Sequence, residues 1–176
     1  TLDLGKLPGG EFSHFFSCSG GELEFNGSGE YTISSEPDTL RILTFSGTGK
    51  RTLPKKDLVI CDSLIIDGPV LNNNTWDNKL TLFGTFARYS GTFDAGDAST
   101  AVVKFSGTSQ QSIPNSFTGS NGFYNLILDN MNGLLLTDSV DITNEITFTN
   151  GIIHTADSSV LYLSNTSSNV VNGSGS

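Results

Sequence analysis

Basic residues are scarce in this chain: nine Lys and Arg stand against eighteen Asp and Glu, a formal net charge of -9. A phosphate-binding surface needs clustered cations to displace counterions, so nucleic acid is excluded as a partner class. The one basic cluster, Lys50, Arg51, Lys55 and Lys56, reads as a solvated corner. No run of eighteen apolar residues occurs and no signal peptide or lipidation motif is present, so no segment reads as membrane-inserted. Charged residues make up only 15% of the chain, and no window of a dozen residues carries a helical stripe, which excludes an α-helical domain.

Cysteine is nearly absent. Cys18 and Cys61 form no Cys-x-x-Cys unit and have no His at metal-ligand spacing, so neither a zinc centre nor a redox motif is indicated. They read as buried or idle thiols. Their separation of 43 residues (61 - 18) places them about two turns apart in the architecture below, so a bridge requires the first segment to fold back as a cap. Gly-x-Ser-x-Gly elbows, phosphate loops and dinucleotide fingerprints are missing, and no cofactor is called for. Thr1 is not a natural start, which leads us to expect a processed product or a segment of a longer protein.

What the chain has is Gly, Ser, Thr and Asn in quantity, and a repeat. Val103 to Pro114 reads V-K-F-S-G-T-S-Q-Q-S-I-P; Leu23 to Ser34 reads L-E-F-N-G-S-G-E-Y-T-I-S; Thr44 to Pro54 reads T-F-S-G-T-G-K-R-T-L-P. Each is a short alternating run, a Gly corner and a second short run. Apolar centres fall at Phe25, Phe45, Ile65, Leu82, Phe105, Ile127, Phe148 and Leu163, at intervals of 20, 20, 17, 23, 22, 21 and 15. A second series trails by about eight residues: Ile33, Leu53, Leu71, Phe93, Ile113, Leu135, Ile153 and Val171. Strands recurring every twenty or so residues leave no room for crossover helices and fit a coil whose turns stack.

A longer repeat overlies this one. Leu23 to Ile33 matches Val103 to Ile113, and Leu58 to Gly68 matches Val140 to Asn150. Gly27, Gly47 and Gly107 stand two residues past an aromatic position, where a sharp corner calls for positive φ. The fold expected is therefore all-β, a right-handed parallel β-helix of about eight rungs spanning on the order of 38 Å. Residues 22–176 form the solenoid. Residues 1–21, with Phe12, Phe15 and Phe16, break the pattern and read as an N-terminal cap or a joint to a preceding domain.

The segments T-F-S-G-T-G-K-R-T-L-P, S-G-T-F-D-A-G, V-K-F-S-G-T-S-Q-Q-S-I and G-F-Y-N-L-I-L-D-N resemble repeats of large secreted and cell-surface proteins of the Bacteroidota, over about Leu23 to Leu163. That resemblance implies a parallel β-helix, export (often by the type 9 system), placement on the outer surface of a Gram-negative bacterium, and an adhesin-like or filament-like role. The implied partners are neighbouring domains of one long chain, surface glycans or other surface proteins. The tripeptides Asp38-Thr39-Leu40, Asp62-Ser63-Leu64 and Asp138-Ser139-Val140 look like the O-glycosylation motif of that phylum, making Thr39, Ser63 and Ser139 candidates for sugar attachment. The plainer alternative is that Asp, Ser and Thr open strands because they make good corners.

Polysaccharide-cleaving enzymes use this scaffold, which makes an enzyme the competing reading. Glycoside hydrolysis needs two carboxylates on one face, and β-elimination needs a base with a cation. Asp94 and Asp97, with Arg88 and Tyr89 upstream, are the nearest approach, and no other rung offers a converging set. The same Asp94 and Asp97 are the candidate ligands for a weak Ca²⁺ site, though the calcium-stacking nonapeptide repeat is missing. Trp76, Arg88 and Tyr89 are candidate binding residues, with Phe86 as a possible third ring of a sugar-stacking platform or, more plainly, a core residue. His14 and His154 are isolated. The sequence reads as a non-catalytic rigid stalk or adhesin module; the alternative is a carbohydrate-active enzyme or carbohydrate-binding module on the same scaffold.

In Val103-Lys104-Phe105 the apolar side chains point to one face and Lys104 to the other. Phe105→Ala is thus expected to open a cavity between stacked turns and to cost about 3–5 kcal/mol, read as a lowered urea midpoint. An unchanged midpoint would place Phe105 outside the core.

Overall fold

The computed structural model describes residues 17–33, 38–167 and 170–173. Within them the chain is an all-β parallel solenoid of about seven turns, with one turn of 3₁₀ helix at Gly119–Asn121. The first turn carries β1 (Glu22–Phe25) and β2 (Tyr31–Thr32), and the second carries β3 (Thr39–Ser46) and β4 (Lys50–Thr52). The third has β5 (Leu58–Asp67) and β6 (Val70–Asn72), and the fourth β7 (Lys79–Leu82), β8 (Thr85–Arg88) and β9 (Thr92–Asp94). The fifth has β10 (Val102–Phe105) and β11 (Gln111–Ile113), and the sixth β12 (Phe123–Asp129) and β13 (Leu134–Leu136). After these, β14 (Val140–Asn150) closes the sixth turn and opens the seventh, β15 (Ile153–Thr155) and β16 (Leu161–Leu163) complete it, and β17 (Val171–Gly173) begins another.

Register sorts these strands into three ranks. In the first, Leu40, Ile60, Leu82, Phe105, Leu128 and Phe148 stand one above another through successive parallel pairings. In the second, Leu23, Leu43, Leu64 and Phe86 stack, and lower down Ile113 stacks on Leu136. In the third, Tyr31, Arg51, Leu71 and Phe93 stack, and lower down Phe117, Val140 and Leu161. The inward residues of all three ranks form one continuous hydrophobic core. Each turn supplies half of a buried layer and its neighbour supplies the rest.

Between the fourth and fifth turns only the first rank keeps its ladder, through β7 and β10. The sheet of β2, β4, β6 and β9 ends there, the sheet of β11, β13 and β15 begins there, and β8 pairs only with β5. Side chains take over the missing backbone bonds. Gln111 donates from Nε2 to the carbonyls of Leu82 and Gly84 at 2.9 and 2.7 Å, and its Oε1 accepts from the Gly107 amide at 2.6 Å. Arg88 donates to the carbonyls of Gly91 and Ser116, and the Phe93 amide donates to Asn121 Oδ1 at 2.9 Å. Aromatic rings fill the layer: Phe86 lies 4.8 Å from Phe117 and 5.1 Å from Phe93, and Phe117 lies 5.0 Å from Phe123. Edge-on and offset rings of this kind add to the area they bury.

This joint corrects how the two apolar series map onto the fold. Phe25, Phe45 and Ile65 belong to the second rank, whereas Leu82, Phe105, Ile127 and Phe148 belong to the first. The series changes rank where its interval shortens to 17. The longer repeat shifts in the same sense: Leu23–Phe25 is in the second rank and its match Val103–Phe105 in the first; Leu58–Ile60 is in the first and its match Val140–Ile142 in the third. In the upper half β3 and β5 run the first and second ranks together across a corner flattened by an irregularity after Leu40. In the lower half β12 and β14 run the third and first ranks together. Within strands, Ile65, Ile127 and Leu135 are only half-buried, and their neighbours Leu64, Ile66, Leu126, Leu128, Leu134 and Leu136 are the core residues.

Three local expectations are also corrected. Gly27 and Gly47 have positive φ, 107° and 82°. Gly107 does not; it is glycine because a Cβ there would come within 2.7 Å of the Phe83 carbonyl and 2.8 Å of the Gln111 side chain. Arg51 is not solvated but fully buried. Its guanidinium donates to the carbonyls of Gly27 and Gly29 and lies 4.5 Å from the Tyr31 ring centroid, which disperses the buried charge without a carboxylate. Lys56 is paired with Asp38 at 3.0 Å and Lys55 lies over Trp76, so only part of that basic cluster faces water.

Cys18 and Cys61 are not idle thiols but a disulfide, with Cα atoms 5.1 Å apart. Counting turns misleads here because Ser17 to Gly20 form a tight turn rather than a rung strand and lie against β5 from outside the stack. The expected cap over residues 1–21, with Phe12, His14, Phe15 and Phe16, otherwise lies outside the described residues. Closing a loop of 43 residues removes unfolded-state entropy; the chain-entropy relation gives about 4 kcal/mol. Reduction, or the pair Cys18→Ser and Cys61→Ser, is expected to lower the unfolding free energy by roughly 2–4 kcal/mol. A urea midpoint indifferent to reductant would rule out that contribution.

Candidate functional site

Outward side chains of the third rank build a shallow groove of about 530 Å³ across the three lowest turns. The alternation that buries Phe117, Val140 and Ile142 turns their neighbours outward. Ser116 and Thr118 flank Phe117, with their hydroxyls 3.1 Å apart. One turn below, Ser139 and Asp141 flank Val140, and Asp138 stands at the corner. One turn lower again, Tyr162 is the Cα partner of Asp141, so ring and carboxylate sit on adjacent strands. Tyr162 is 49% exposed on a stretch whose other outward residues are small and polar.

The groove's hydrogen bonds are local. Asp138 Oδ1 accepts from the Ser139 amide at 2.6 Å, Ser139 Oγ accepts from the Val160 amide at 3.2 Å, and Ser164 Oγ donates to Asp141 Oδ1. Among the described residues neither carboxylate has a cation, in contrast to Asp129, which pairs with Lys104 at 2.7 Å, and Asp38, which pairs with Lys56. The described lining thus offers two acceptor carboxylates, four Ser and Thr hydroxyls, and one aromatic face with its phenol hydroxyl, and no positive charge.

The residues singled out from sequence are placed as follows. Asp94 is a corner brace: its carboxylate accepts from Asn72 Nδ2 at 3.0 Å and from the Gly96 amide at 3.4 Å. Asp97 is exposed, and its amide donates to Asp77 Oδ1 at 3.1 Å. Among the described residues no three of His, Cys, Asp or Glu gather where they could hold a metal ion. Trp76 lies at the corner before β7 with the Lys55 ammonium 5.1 Å from its ring, and Tyr89 is exposed at the corner after β8. Arg88, between them in sequence, is committed to Gly91, Ser116 and the Phe117 ring, and Phe86 is fully buried. Trp76, Asp94 and Asp97 share one corner, linked through Thr75, Asn72 and Asp77, while Arg88, Tyr89 and Phe86 stand away from it.

Thr39, Ser63 and Ser139 are half-buried residues, and each tripeptide's Asp accepts from its own Ser or Thr. They are scattered: Thr39 opens β3, Ser63 stands in the flattened corner of β5, and Ser139 alone lies in the groove. Sequence reasoning missed Tyr162, Asp141 and Thr118. The signal was present in V-D-I, L-Y-L and S-F-T, where an outward residue sits beside an inward one; what sequence did not supply was that the three fall on one rank.

Compared with protein-family models, with curated proteins and with solved structures, the chain matches none.

Charge outside the groove is tied to the ladder. The Lys104 hydrogen bond, with that of Asn150, holds the Asp129 carboxyl below its ordinary value of 3.8. Lys56 does the same for Asp38, and the hydroxyl of Thr147 followed by Asn172 for Glu145. A folded-state value below the unfolded one gives stability that is complete above the unfolded value and lost as the pH falls through the folded one. The urea midpoint is therefore expected to decline below about pH 4. Lys104→Met should flatten part of that acid limb and lower neutral-pH stability by the same amount, about 1 kcal/mol or less for this half-buried pair. An identical acid limb in Lys104→Met would exclude the Lys104–Asp129 pair as its source.

Proposed function

We propose that the chain is a rigid, non-catalytic segment of a larger secreted or cell-surface protein, acting as a stalk whose lateral faces adhere. The observation that carries this reading is the unbroken first-rank ladder of seven strands from β3 to β17, with a single hydrophobic core behind it. Its six steps of ~4.8 Å give a strut of about 29 Å in which bending breaks backbone hydrogen bonds. The Cys18–Cys61 disulfide supports passage through an oxidising compartment. The resemblance of the repeats to surface proteins of the Bacteroidota supports the same compartment and adhesive role, with Thr39, Ser63 and Ser139 as the proposed points of O-glycosylation. The carboxylates with displaced proton affinity, Asp129, Asp38 and Glu145, are displaced downward, which suits fixed acceptors and not a general acid held protonated near neutrality.

The test is an intact mass on material from the native source, glycopeptide mapping of the three hydroxyl sites, and a polysaccharide-cleavage screen. Sugar on any of the three with no cleavage product is the expected result. Product release abolished by Asp94→Ala, Asp138→Asn or Asp141→Asn would replace the stalk reading with a carbohydrate-active enzyme on the same scaffold.

A further inference from the structure

The third-rank groove has a specific chemistry, and we infer that it binds a neutral glycan, one pyranose ring lying on Tyr162 with its hydroxyls on Asp141 and Asp138. This rests on the adhesive reading, names its ligand, and requires that Ser139, which lines the groove, be the one of the three hydroxyl sites left bare. A pyranose has an apolar C–H face and a rim of hydroxyls that donate and accept, so its site needs an exposed ring beside acceptor groups fixed in place. Tyr162 supplies the ring, on a strand that presents it outward, and Asp141 is its register partner on the adjacent strand. Ser164 Oγ holds one oxygen of Asp141 and the Ser139 amide one oxygen of Asp138, and both residues line the groove. A carboxylate is an acceptor only, with sites for two donors, and vicinal hydroxyls supply such a pair. Ser116 and Thr118 extend the polar wall one turn higher.

The charge of the lining sets the class. Two carboxylates without a cation in the groove repel uronates, sialic acids and sulfated sugars. Two carboxylates are also too few for a hard divalent cation that wants six to eight oxygens, and no third acidic or imidazole ligand stands with them among the described residues. An apolar protein partner is disfavoured because the groove lacks the hydrophobic centre of a protein interface. Openness and shallowness fix the strength: a single site should bind in the high-micromolar to millimolar range, with avidity supplied by multivalent display.

The test uses the 176-residue chain, biotinylated and tetramerised, on an array of neutral and acidic oligosaccharides, followed by saturation-transfer NMR of the untagged chain with lactose, cellobiose, chitobiose and digalacturonate. Expected are selection of neutral over acidic sugars, an affinity loss of at least tenfold in Tyr162→Ala and Asp141→Asn, and retention within about threefold in Tyr162→Phe, which keeps the ring. Far-UV spectra and urea melts of each variant separate lost binding from lost folding. No binding to any sugar, equal binding of digalacturonate, a requirement for Ca²⁺, or wild-type affinity in a folded Tyr162→Ala overturns the inference. None of these outcomes touches the stalk reading, which fails separately if the bound oligosaccharide is cleaved; cleavage lost in Tyr162→Ala would keep the groove and discard the inert stalk.

Discussion

The parallel ladder of the first rank is the constraint on which the rest depends. Every turn from Thr39 onward contributes a strand to it, and the inward column Leu40, Ile60, Leu82, Phe105, Leu128 and Phe148 puts a large apolar side chain at every level. No single turn buries its own inward face, so stability is a property of neighbouring pairs of turns and not of any one element. The corners follow from the same demand. At Gly47 a Cβ would fall 2.1 Å from the carbonyl oxygen of Gly27 directly above, so close stacking and side-chain-free corners are one requirement.

The joint between the fourth and fifth turns shows how the solenoid survives the loss of two ladders out of three. Backbone pairing is replaced by amide and guanidinium side chains that bond to carbonyls, and the layer is filled with phenylalanine in place of aliphatic residues. Rings bury more area per residue than leucine, which suits a layer where strands do not pair. The flattened corner moves from one edge of the prism to another across this joint, so the two halves are built alike but turned by one rank. The groove lies below the joint, on turns where the third rank is continuous again.

The exterior divides into two kinds of polar surface. Along the ladder several acids are held by partners one turn away: Asp129 pairs with Lys104 and accepts from Asn150, Asp38 pairs with Lys56, and Asp67 accepts from Ser90. These contacts hold turns together and leave little for a ligand. On the lower third rank the acids lack cations and stand beside an exposed ring. A stalk needs only the first kind; the second is what adhesion adds to it.

The amino-acid sequence determined the local units. Alternation in V-K-F, L-E-F and V-D-I dictates strands with one inward face, the Gly corners dictate where they turn, and the interval near twenty residues dictates stacking. Those are short-range consequences of side-chain direction and backbone sterics, so they can be read residue by residue. Which rank each unit joins was decided by tertiary structure alone. Val103–Phe105 copies Leu23–Phe25 in sequence but stacks under Leu80–Leu82 of the first rank, because vertical pairing is chosen by the turn above and not by the motif itself. The same cause hid the Cys18–Cys61 bridge, the burial of Arg51 and the assembly of Thr118, Asp141 and Tyr162 on one surface: each joins residues from different turns, and only the closed stack sets their distances.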